Sequence, residues 1–131
     1  MLSKGLRDEE NKKMDRLFHD LTTVDFLPDY WENQQRTDAH EMLKEALGKG
    51  LDDIEKMESQ ELLHFLEGQK FSLENFEQLG DLLFRISAFE PEQEEARLIN
   101  HSINIFQIVQ QKSKTFDLML DKKLKEAREA L

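Results

Sequence analysis

The stretch NFEQLGDLLFRI, residues 75–86, sets Phe76, Leu79, Leu82, Leu83 and Ile86 along one helical face and interrupts that face with Gly80. A glycine inside a helix costs about 1 kcal/mol relative to alanine, so it needs a packing reason. The usual reason is close approach of a neighbouring helix. Ser72 stands at the cap position, and Phe71 and Phe76 occupy the two positions of a hydrophobic staple. The spacing predicts a helix from about 73 to about 87.

Downstream, Pro91 occupies a first helical position, with Glu92, Glu94 and Glu95 placed favourably against the helix dipole. The helix it opens runs to about 112. Its line of Ala96, Ile99, Ile103 and Phe106 is widened by Leu98, Ile105, Ile108 and Val109, more apolar surface than one neighbour covers, so it should be central. Asp117 caps a last helix through Leu120, Leu124, Ala127 and Leu131, with Lys122, Lys123 and Lys125 on its wet face.

Upstream, Ser59 is placed to cap QELLHFLE (60–67), which carries Leu62, Leu63, Phe65 and Leu66 ahead of Gly68. A short helical turn is expected around DDIEKM (52–57). Asp38 with Glu41 resembles a capping box opening a helix through Ala39, Met42, Leu43, Ala46 and Leu47, with Gly48 or Gly50 as its stop. Met14, Leu17, Phe18 and Leu21 predict a first amphipathic helix from about 8 to 22. Between these two helices, TTVDFLPDYWENQQRTD (22–38) collects Val24, Phe26, Leu27, Tyr30 and Trp31, and Pro28 suits the first turn of a short helix.

The offsets of Phe76, Leu79, Gly80 and Leu83 resemble the first helix of a tetratricopeptide repeat, with Ala96 as the small residue of the second helix where the two cross. The order of elements over about 39–131 is similar to a family of uncharacterised bacterial helical proteins with tetratricopeptide-like pairs. That similarity is carried by DAHEMLKEALGKGLDDIEKMESQELLHFL, ENFEQLGDLLFRI and FQIVQQKSKTF. It implies a helix-pair architecture and brings no assigned catalytic residues.

The 131 residues fit one cooperative core, and 38% hydrophobic with five Gly and two Pro points to an all-α protein rather than a disordered or all-β one. No apolar run is long enough to span a bilayer, and MLSKGLRDEENKK lacks the apolar core of a signal peptide, so a cytoplasmic address is expected. The absence of Cys excludes disulfides and thiolate chemistry. The net charge of −10 is uneven: residues 51–95 carry 3 basic and 13 acidic side chains, and 96–131 carry 7 and 4. Such a surface opposes phosphates, so neither nucleic acid nor anionic membrane is an expected partner. It suits intramolecular charge complementarity, or an acidic docking surface for a basic partner.

Chemical motifs are sparse. Glu61 and His64 form one E-x-x-H, but a carboxylate-bridged metal site needs two. HEMLK (40–44) opens like a zinc-protease helix and has Lys44 where the second His belongs. No phosphate loop or nucleophile elbow occurs, so neither enzyme activity, metal nor cofactor is expected. Phe26, Tyr30 and Trp31 form a candidate interaction surface, or else a cap that seals the core. His64, Asn100 and His101 would form the polar pocket of a ligand-binding or catalytic bundle, the alternative reading. At least one of Asn100 and His101 can instead face water or bond a backbone carbonyl.

The sequence therefore predicts one helical domain over 1–131, a compact all-α bundle of about five to six helices. Residues 1–36 supply an N-terminal helix and Pro/aromatic cap, and 37–131 the helix-pair core. The expected role is a small protein-protein interaction module holding a peptide, a protein partner or a second copy of itself. In a homodimer, the interface would include the C-terminal helix.

Overall fold

The computed structural model describes residues 15–69, 71–113 and 117–131. Helix α1 covers 15–23, so the expected start of the first helix, Met14 included, lies outside the described residues. Then follow α2 (Pro28–Tyr30), a π turn (Trp31–Gln35), α3 (Arg36–Leu47), α4 (Leu51–Lys56), α5 (Ser59–Glu67), α6 (Leu73–Ser87), α7 (Glu92–Lys112) and α8 (Leu118–Ala130). No strand occurs among the described residues, and no helix there is long and apolar enough to cross a membrane.

The pair α6 and α7 is the centre of the bundle, an antiparallel hairpin across the turn Ala88–Pro91. Ser72 caps α6 by accepting from Asn75 N at 3.1 Å, and the Phe71 and Phe76 rings meet edge to face at 5.3 Å, as the staple requires. Asp117 likewise caps α8 through the amides of Met119 and Leu120, and Gly48 ends α3 at φ 85°, a left-handed conformation that favours glycine. The surplus apolar surface of α7 is covered by α6, α8, α5 and α4 together, and its inner face forms one cluster with Phe18, Leu43, Ile54, Leu66 and Leu83.

Gly80 is buried, and the close approach is real, but the expected partner is corrected. A side chain at Gly80 would meet Phe106, with the added Cβ only 2.6 Å from Cε1. Ser102 Oγ lies at 3.0 Å from both Gly80 O and Leu98 O. Ala96 sits on the exposed side of α7 and takes no part. Phe76, Leu79 and Leu83 are core residues as expected.

Two boundaries also differ. Asp38 caps nothing: the chain is helical without a break from Pro28 to Leu47, and Asp38 accepts from Gln34 Nε2 at 2.8 Å inside it. Ser59 is the first residue of α5, with Glu58 before it as the extended cap residue. Lys123 leaves the wet face of α8 and lies 3.0 Å from Asp81 and 3.6 Å from Glu77 on α6, so part of the charge asymmetry is satisfied within the chain.

Candidate functional site

Two neighbouring features are built on the helix 28–47. The first begins with the π turn. Residues five apart lie about 1.4 turns apart on an α-helix and so point to different sides; a π turn closes its hydrogen bond over that interval, as Arg36 N does to Trp31 O, and brings them together. Trp31 Nε1 and Arg36 Nε accordingly donate to the same oxygen, Glu90 Oε1, at 3.3 and 2.9 Å. Arg36 Nη2 reaches Asp52 at 2.5 Å and Glu55 Oε2 at 3.2 Å. One guanidinium thus ties α3 to α4 and to the turn between α6 and α7.

The Glu90 and Glu55 side chains are only 5% and 7% exposed, and Glu55 Oε1 is buried without a protein hydrogen-bond partner. Burial first, then the charge of Glu90, pushes the Glu55 carboxyl up to about 7 against the pull of Arg36. Asp52 is held below its usual range by its hydrogen bond to Arg36. Arg36 itself is held more firmly protonated than usual: burial, the largest single influence, opposes this, but Asp52, Glu90 and Glu55 outweigh it.

A pH dependence follows. Glu55 binds its proton more tightly in the folded chain, so its contribution is fully present below the ordinary carboxylate range and is lost as pH rises through about 7. Glu55→Gln should match the wild type near pH 5 and exceed its unfolding free energy by about 2 kcal/mol at pH 8. Urea titrations of both proteins across this range check it; parallel curves would show that Glu55 is ionised throughout. His101, whose own affinity for a proton is lowered by burial, is common to both proteins and cancels.

The second feature is an open groove of about 270 Å³ between α1 and α3. Its floor is Leu21, Val24, Phe26, Ala39 and Met42, and its lip carries Asp38 and Glu41, both exposed. The loop that forms one wall is pinned from two sides. Gln35 accepts from Leu27 N and donates to Asp25 O, each at 2.9 Å. Arg85 donates to Thr22 O and Val24 O, and its guanidinium lies 5.0 Å from the Phe26 ring centre. These hydrogen bonds fix the loop that walls the groove.

The proposed aromatic surface is corrected in part. Trp31 is 2% exposed, with the Phe26 ring edge-on at 5.1 Å and Phe89 tilted against it at 5.5 Å, so it seals the core as a cap. Phe26 is half-buried and lines the groove, while Tyr30 is exposed. The polar pocket does not form. His64 and Asn100 are exposed, and His101 is buried with Nε2 3.1 Å from Ile54 O. With Arg97 donating to Lys56 O at 3.2 Å, His101 serves the last carbonyls of α4. Among the described residues no group of three or more His, Cys, Asp or Glu is arranged to hold a metal.

Sequence reasoning passed over Arg36 and the groove. A signal was present, since Arg36 is the sole Lys or Arg between Arg16 and Lys44, in an acidic region. No known family model, no curated protein and no solved structure matches the chain.

Proposed function

We propose that the protein is a small helical interaction module that takes a short apolar segment with basic flanks into the groove between α1 and α3. One observation carries the reading: an apolar floor of Leu21, Val24, Phe26 and Met42 beneath an acidic lip of Asp38 and Glu41, with walls already pinned by Gln35 and Arg85. A preformed groove spares a ligand the cost of ordering it, and the acidic lip selects a cationic flank by charge. The antiparallel α6 and α7 supply the rigid platform, which suits a tetratricopeptide-like adaptor.

Synthetic peptides of about twelve residues bearing a Leu-Met pair and lysines one turn away test this. In isotope-labelled protein they should shift the amides of Val24, Ala39 and Met42 with micromolar dissociation constants, and Met42→Glu should weaken them at least tenfold. Equal binding by a peptide with Glu in place of Lys, or no shift at these amides, would sink the reading.

A further inference from the structure

The large apolar side chains left exposed among the described residues gather mainly in two places. Val24 lines the groove, with Leu27 and Tyr30 following in the same segment, and Leu118 and Met119 form the first turn of α8, 71% and 63% exposed. The inner positions of that helix, Leu120, Leu124 and Ala127, are buried. Its outer surface continues from Leu118 to Lys122 one turn on and then to Lys125, both exposed. Among the described residues, Lys125 pairs only with Asp121, at 3.4 Å one turn away, a surface pair that solvent screens. Lys123, in contrast, is turned inward to Asp81 and Glu77.

The head of α8 therefore has the chemistry opposite to the groove: two flexible apolar side chains followed by cations, facing an apolar floor followed by carboxylates. The groove offers about 270 Å³ and opens to solvent, so side chains can enter it from outside. No other exposed pair among the described residues combines adjacent large apolar groups with a following lysine on one helix.

We infer that the groove receives the head of α8 from a second copy of this chain, with Leu118 and Met119 on Leu21, Phe26 and Met42, and Lys122 beside Asp38 and Glu41. This rests on the groove reading above and names the partner. Such a joint is heterologous, since the surface given differs from the surface received.

Two variants separate its halves while changing only exposed residues: Leu118→Asp with Met119→Asp, and Asp38→Lys with Glu41→Lys. Sedimentation of the wild type up to about 200 μM should show mass rising above one chain, and each variant alone should remain at one chain with an unchanged melting curve. Mixing the two variants should restore a species of two chains, because one groove and one α8 head are intact between them. A wild type that stays at one chain overturns the inference. So does association that either variant leaves untouched, or a mixture that fails to pair. The lysine-bearing peptides then tell the two readings apart: shifts at Val24 and Met42 with a monomeric chain retain the groove and discard the second copy, whereas no shift discards both.

Discussion

Arg36→Met should lower the unfolding free energy by about 3 kcal/mol at pH 7.5, the low end of the 3–5 kcal/mol typical of breaking a buried ion pair, because the Arg36 side chain is itself 29% exposed. The guanidinium is the cation that faces Glu90 and Glu55, whose side chains are 5% and 7% exposed, and it also holds Asp52. Without it the Glu55 carboxyl faces the Glu90 charge with no cation to offset it and takes up its proton more readily. The deficit should therefore shrink as pH falls from 8 to 5, and adding Glu55→Gln and Glu90→Gln should recover much of it. Chemical denaturation at several pH values reads this directly. A loss below about 1 kcal/mol, or one independent of pH, would place the carboxylates in water.

The second large effect belongs to the hairpin. Gly80→Leu should cost about 3 kcal/mol, at the upper end of the usual penalty for overpacking. The Cβ alone falls 2.6 Å from Phe106 Cε1, and the Phe106 ring is 1% exposed, so it cannot swing away into solvent. Gly80→Ala is a milder probe, in which a helix-propensity gain of about 1 kcal/mol is set against the same close contact. Combining Gly80→Leu with Phe106→Leu should cost less than the sum of the two single changes, since they share one space. Denaturation midpoints of the single and double variants decide it; strict additivity would mean that the two positions do not meet.

The all-α architecture could be read from the sequence because its signals are local. Ser72, the Phe71 and Phe76 staple, Gly48 and Asp117 each act within a few residues, and each does in the structure what its chemistry suggests. The error at Ala96 came from matching residue size without regard to which side of α7 the residue occupies. Counting from the turn puts Gly80 opposite Ile99, with Ala96 and Ser102 equally near along the chain, but Ala96 faces out while Ser102 and Phe106 are buried against Gly80. Asp38 misled for a related reason: its cap pattern is genuine, but the π turn carries the helix through it. The Arg36 network was hidden because residues 36, 52, 55 and 90 meet only after three connections have folded. The groove was hidden because its floor alternates between two helices and a loop, none of which has an unusual apolar pattern alone.

The π turn also works as a rotary coupling. Each residue of an α-helix turns its successors by about 100°, so one residue added to a single turn offsets everything before it from everything after it by that angle. Beyond the coupling, Ala39, Leu43 and Leu47 keep α3 seated in the core; before it, Trp31 is swung round to the end of the hairpin at Phe89. Removing one residue at exposed Asn33 would return the segment to ordinary helical phase and rotate the indole away from Glu90 without touching a core position of α3. Chain length in this one turn, more than the identity of its polar residues, thus sets where the aromatic cap faces.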